Sequence, residues 1–140
     1  MIEDLPEKAN EEIKRADHLV YVTLKYTRTV DVIKSIIKRL INAYNYVILE
    51  ALEYAKEKKK IKEIPVSTQA RINLLKKIYR DDIEEYIELL GFLKILNTAE
   101  YEKKEEYRKH VALIAHVGSK KIEVDIPTVV EYFKKTKEFV

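Results

Sequence analysis

HVALIAHVGSKKIEVDIP, residues 110–127, decides the fold, because its first half suits either a helix or a strand. As a helix, the apolar run would stop at Gly118, a common residue just past a helix end. As a hairpin, Gly118-Ser119 is a two-residue turn with glycine first, as type II′ prefers. Pairing outward from that turn sets Ala115 opposite Ile122, Leu113 opposite Val124 and Val111 opposite Ile126, with all six on one apolar face. Ala112, Ile114 and His116 fall on the other face, against Asp125, Glu123 and Lys121. The second half alternates apolar and polar residues, the mark of a half-buried strand. A lone strand has nothing to pair with, so a hairpin over about 111–126 is the preferred reading.

Outward from the hairpin, everything reads as helix. Thr128 to Glu131 has the form of a capping box and opens a closing helix over about 128–139, burying Val130, Phe133 and Phe139. Before the hairpin, Asp81-Asp82-Ile83-Glu84 has the same form. The helix it starts carries Ile83, Tyr86, Ile87, Leu90 and Leu93 inward and is predicted over about 82–109, with a bend near Asn97-Thr98. Gly91 inside it suggests a close helix contact. Pro65 followed by Ser67 or Thr68 marks the start of a helix over about 68–80, with Ile72, Leu75, Ile78 and Tyr79 inward.

The clearest pattern lies in residues 30–60. Val30, Ile37, Tyr44 and Ala51 recur every seven residues, and Ile33, Leu40, Val47 and Tyr54 form a companion series. Such a seam packs against neighbouring helices at a shallow angle. Thr29 is the predicted cap, and lysines 56, 58, 59, 60 and 62 suit the negative end of the helix dipole. The first helix, over about 5–27, begins at the capping box Asp4-Leu5-Pro6-Glu7. It buries Ala9, Ile13, Ala16, Val20, Leu24 and Thr27, while Leu19, Tyr21, Val22 and Tyr26 extend its apolar surface almost all round. That girth predicts a place in the middle of the bundle or against a second subunit.

The 140 residues, with only 2 glycines and 3 prolines, fit one helical domain spanning 1–140. Cysteine is absent, so disulfides and thiolate metal sites are excluded. The acidic start MIEDLPEK has no apolar core, and the longest apolar runs are too short to span a bilayer, which predicts a soluble, cytoplasmic protein without membrane contact. Lysine (21) and glutamate (18) dominate and Gln69 is the sole glutamine, a bias of the hyperthermophilic kind. Net charge is +3, but residues 13–80 hold sixteen Lys/Arg against six acids, whereas 81–106 hold nine acids against three lysines. Such polarity suits an anionic partner, or mutual neutralisation of the two stretches as the helices pack.

Few chemical signatures are present. There is no glycine-rich phosphate loop and no Gly-x-Ser-x-Gly, and His18, His110 and His116 are too scattered to hold a metal. Arg15, His18, Tyr21, Lys25 and Arg28 fall at three- and four-residue steps on the first helix. The stripe suits an anion-binding groove or a pH-sensitive contact, although such a stripe is more often the solvated flank of an amphipathic helix with one partly buried histidine. Lys34, Lys38 and Arg39 cluster with Arg28 at one end of the helical pair and complete the candidate binding set. Ten tyrosines invite a base-stacking reading, but Tyr44, Tyr54, Tyr79 and Tyr86 fall at helix core positions, where tyrosine is simply the aromatic filler.

RADHLVYVTLKYTRTVDVIKSIIKRL at 15–40 and EYRKHVAL at 106–113, within this order of helices, resemble the HEPN-type helical bundles. The resemblance implies an antiparallel four- to five-helix bundle, here mainly α with the small hairpin near its carboxyl end, and a homodimer. It also implies metal-independent RNA cleavage by an Arg and a His, and in some members work beside a nucleotidyltransferase subunit. The candidates are Arg108 with His110 or His116, yet the family places four to six residues between the pair. Here one and seven intervene. The expectation is therefore a non-enzymatic or catalytically degraded HEPN-like module that binds RNA or a nucleotide through its basic half, with no metal or cofactor. The alternatives are a metal-independent ribonuclease and a structural partner protein whose first helix docks another chain.

Overall fold

The computed structural model describes residues 5–140, so the Asp4 cap lies outside the described residues. The first helix, α1, comprises Leu5–His18, a π-helical segment Leu19–Thr23 and a last turn Leu24–Tyr26. Val20, Tyr21, Val22 and Thr23 are β-branched or aromatic, poor at holding tight α turns. The amide of Leu24 reaches back to the carbonyl of Leu19, five residues earlier. Ala9, Ile13, Ala16, Val20 and Leu24 are buried as the spacing predicts, but Thr27 is exposed. Tyr21, Val22 and Tyr26 are 48%, 41% and 80% exposed, so α1 is peripheral and not the centre of the bundle. It packs chiefly on the following helix, with Tyr21 edge-on to Phe133, and Val22 and Tyr26 face out.

The centre is α2, Val30–Glu57, which contacts α1 and the other long elements. Thr29 caps it, accepting from the amide of Val32 at 3.3 Å. Val30, Ile33, Ile37, Leu40 and Tyr44 are fully buried, which is the predicted seam. Beyond Tyr44 the series lapses, with Val47 and Ala51 half-buried and Tyr54 50% exposed, because an α-helix drifts off a strict seven-residue repeat and the buried face passes to Ile48, Leu52 and Ala55. The helix stops at Glu57, short of 60, where Lys59 turns the chain with φ +60°.

Helix α3, Thr68–Tyr79, is capped by Ser67, whose hydroxyl accepts from the amide of Ala70 at 3.0 Å. In place of the capping box expected at 81–84, a 3-10 turn, Arg80–Ile83, leads into α4, Glu84–Thr98. No side chain caps α4, and Glu84 and Glu85 in its first turn oppose the helix dipole instead. Gly91 makes no close helix contact: a Cβ placed there meets nothing within 4 Å. Gly91→Ala should therefore raise stability by about 0.5–1 kcal/mol, since glycine is costly inside a helix. A lower melting temperature for that variant would reveal crowding at this position.

The largest departure from expectation is at 99–109, which the sequence presents as a continuation of α4. The helix ends at Thr98, whose hydroxyl turns back to the carbonyls of Lys94 (3.2 Å) and Ile95 (3.4 Å). Glu100–Lys104 is instead strand β1, paired antiparallel with β2, Ala112–Val117, which pairs with β3, Lys120–Asp125. Charged EYEKK reads equally well as an exposed helix or as the protected edge strand it is, since edge charges deter further pairing.

The hairpin itself is as predicted. Ala115 faces Ile122 and Leu113 faces Val124, with His116 against Lys121. Val111 is buried but, with Ile126, lies beyond the ladder. Gly118 has φ +62° and Ser119 is not left-handed, as type II′ requires and type I′ does not allow. Helix α5, Ile126–Phe139, starts two residues before the expected 128 because Asp125 is its cap, accepting from the amide and the hydroxyl of Thr128 at 2.9 and 2.6 Å. Thr128 hence donates and does not cap. Val129, Phe133 and Thr136 are buried, while Val130 and Phe139 are half-buried. Phe139 stacks between Tyr44 and Tyr86, with ring centroids 5.1 and 5.0 Å away.

Among the described residues, no acid of 81–106 pairs with a cation of 13–80. The two stretches meet only without close pairing, as where Lys76 and Arg80 share a surface with Asp81, Glu84 and Glu88. Also among the described residues, no helix is long and apolar enough to cross a membrane.

Candidate nucleic-acid interface

The loop between β1 and β2 is fastened to the start of α2. The amide of Tyr107 donates to the carbonyl of Arg28 at 2.6 Å, and a carboxylate oxygen of Glu106 accepts from the amide of Val30 at 2.8 Å. Glu106 thus shares the capping of α2 with Thr29 across a large sequence separation. Lys103 lies between Asp31 (3.5 Å) and Glu106 (3.6 Å), and Asp31 first, then Glu106, holds its ammonium above the usual lysine range against desolvation. Glu105 (φ +50°) and Tyr107 (φ +66°) are left-handed, so the loop folds into a tight knuckle before Val111 enters the core. Glu106→Ala should cost about 1 kcal/mol through loss of the cap, measured by urea unfolding. An unchanged midpoint would show that the loop is not held by this carboxylate.

The fastening places two sets of side chains on one end of the molecule. From the end of α1 come Lys25, Tyr26 and Arg28; from the knuckle come Tyr107, Arg108, Lys109 and His110. Tyr26 and Tyr107 are 80% and 75% exposed. Among the described residues, none of these five basic side chains has an ion-pair partner within 4 Å. The patch therefore offers two aromatic faces and unpaired positive charge.

The remaining predicted binding residues lie elsewhere. Arg15, His18 and Arg39 line a furrow between α1 and α2 that runs past Leu19 to Lys38, and Lys34 lies in a separate hollow with Asp31, Lys38 and Asn97 of α4. Two of the furrow's cations are paired inside the chain, while Lys14 and Lys38 have no ion-pair partner within 4 Å among the described residues. Arg15 pairs with Glu11 at 2.6 Å, Arg39 pairs with the buried Glu12 at 3.2 Å, and Lys34 sits 4.5 Å from the Tyr101 ring centre. Tyr21 packs edge-on against Phe133. The π segment adds a residue to one turn, which rotates the rest of the helix by about 100° and breaks the straight stripe from Arg15 to Arg28.

Arg108 is not brought against His116. His116 stands at the far end of β2, its Nε2 3.1 Å from Glu102, while Arg108 and His110 precede the strand. The span from Ala112 to His116 alone is about 13 Å. His110 lies near Asp125, where its charge adds to the Thr128 hydrogen bonds that hold that carboxyl below the usual range. Among the described residues, no cluster of His, Asp or Glu suits a metal ion.

No family model, curated protein or solved structure matches this chain. Sequence reasoning misses Tyr26, Tyr107 and Lys109 as members of the patch. The signal was there, because YRKH sets an aromatic beside three basic residues in a segment without apolar periodicity.

Proposed function

We propose that this chain is a non-enzymatic module that binds single-stranded RNA at the patch formed by the end of α1 and the β1–β2 knuckle. One observation carries the reading: Tyr26 and Tyr107 stand in solvent on two segments joined by the Tyr107–Arg28 backbone hydrogen bond, and Lys25, Arg28, Arg108, Lys109 and His110 of those segments have no ion-pair partner within 4 Å among the described residues. Bases stack on such rings and phosphates neutralise such cations. Two separate faces suit a strand of several bases better than one free nucleotide. HEPN-like character belongs to the same proposal. The two long leading helices support it, and β1 departs from the all-helical pattern by replacing the helical stretch on which a family Arg–His pair would stand.

The test is fluorescence anisotropy with a short labelled single-stranded RNA across a salt series, in EDTA. Affinity should fall steeply with salt, and Tyr26→Ala and Tyr107→Ala should each weaken binding by roughly tenfold, the scale of one lost stack. The RNA should be recovered intact. Cleavage abolished by Arg108→Ala or His116→Ala would restore the ribonuclease, and no binding at low salt would favour a structural partner. That second reading draws on Tyr21 and Val22, apolar and exposed on α1, as the face for a homodimer or for a nucleotidyltransferase-type partner chain.

A further inference from the structure

Three shallow hollows follow one another along α2, and neighbours share walls. The first holds Asp31, Lys34, Ser35, Lys38 and Asn97. The second shares Ser35 and Lys38 with it and adds Leu19, Arg39 and Asn42. Leu19 and Arg39 pass in turn to the third, which takes in Lys14, Arg15 and His18 of α1. On α2, Asp31, Ser35, Lys38 and Asn42 recur at three- and four-residue steps, so they form one line along the helix. The hollows therefore make a single trough. Its near end is at the knuckle, because Lys103 bridges Asp31 to Glu106, the residue before Tyr107.

In the trough the acids are spent and the lysines are not. Glu11 pairs with Arg15 at 2.6 Å, the buried Glu12 with Arg39 at 3.2 Å, and Asp31 with Lys103 at 3.5 Å. Lys14, Lys34 and Lys38 have no ion-pair partner within 4 Å among the described residues. The Tyr101 ring, 4.5 Å from the Lys34 ammonium, holds that charge in place without neutralising it. A groove with surplus charge of one sign concentrates ions of the other. The backbone marks the same place, since Leu19 opens the π segment and short π segments gather at functional sites.

The trough also has a length. From Val30, where the knuckle is fastened, to Asn42 the helix rises about 18 Å. At about 3.4 Å per phosphate of a stacked strand, that is room for about five nucleotides.

We infer, resting on the RNA reading above, that the strand leaves the Tyr26–Tyr107 patch and continues along α2 through this trough, its phosphates on Lys34, Lys38 and Lys14. The patch stacks bases, whereas the trough grips only the backbone. It responds to the length of the RNA and not to its sequence.

The experiment is fluorescence anisotropy of the full chain with labelled oligouridylates of about four and about twelve nucleotides, lengths that fill the patch alone or patch and trough together. The longer RNA should bind roughly tenfold tighter. Replacing both exposed lysines, Lys14→Gln with Lys38→Gln, should remove most of that gain and leave the shorter RNA bound as by wild type. The salt slope for the longer RNA should fall by about 1.4, from two contacts at about 0.7 each. Equal affinity for the two lengths, a variant that keeps the gain, or a loss shared by both RNAs overturns the trough. Tyr107→Ala tells the two readings apart, because it should weaken both lengths alike. If neither RNA binds the wild type at low salt, the patch fails and the trough with it.

Discussion

Val20→Asp should lower the stability of the chain by roughly 3–5 kcal/mol, the range for a buried charge left without a partner. Val20 is 6% exposed and sits in the π segment of α1, which packs on α2. A carboxylate there must either stay charged in an apolar site or take up a proton at a cost, and nothing nearby in the core cluster compensates it. The effect does not depend on a second subunit, because the valine is already covered within the chain. Its neighbours Tyr21 and Val22 are the ones a dimer would cover. Urea unfolding is the measurement, and a midpoint close to wild type would mean that the π segment does not hold Val20 inward. Val22→Glu is the companion variant, harmless to a monomer and disruptive only where α1 meets another chain.

Alkali should expose a second weak point. Tyr44 is fully buried at the centre of α2, and its hydroxyl oxygen has no hydrogen-bond partner among the described residues. The Thr136 hydroxyl beside it donates to the Tyr132 carbonyl at 2.9 Å. Burial pushes the Tyr44 phenol up to about 12, with Thr136 opposing only in part. A folded-state value above the unfolded one leaves stability intact below pH about 10 and removes it as pH rises through the folded value. The loss amounts to roughly 3 kcal/mol by about pH 12. Tyr44→Phe should match or slightly exceed the wild type at neutral pH, because it deletes an unsatisfied polar atom. The stability gap between the two proteins should then widen in favour of phenylalanine from about pH 10 upward. Parallel curves would show that the phenol is hydrated in the folded state.

The helices are legible in the sequence because their signals are local. Thr29 and Ser67 announce their caps, and Val30, Ile33, Ile37 and Leu40 repeat a burial that only α2 needs to satisfy. The hairpin is legible for the same reason, since Gly118 and the alternation of KIEVDI lie within a few residues of each other. Strand β1 is not legible. EYEKK owes its conformation to the edge of β2, reached only through the intervening loop, and its own residues suit a solvated helix equally well. The misreading carries into the site, because a helix through 109 leaves no knuckle. Arg108 and His110 then look like an acid–base pair, although Glu106 beside them is committed to the amide of Val30. Lys25 and Arg28 look like members of a stripe with Arg15, but the π segment turns them away to the end of the molecule.

That carboxylate clasp has a consequence for the order of folding. Glu106 and Val30 are 76 residues apart in sequence, so their contact closes one of the long loops of the chain. Closing it carries a large entropic cost, and long-range contacts of this kind are made after the local helices exist. The clasp rests on single hydrogen bonds, one from the buried Val30 to a partly exposed Glu106, so it should open at lower free energy than the packed core. Opening of the knuckle while α2 stays folded is the expected first step, and hydrogen exchange at the Val30 amide reads its free energy.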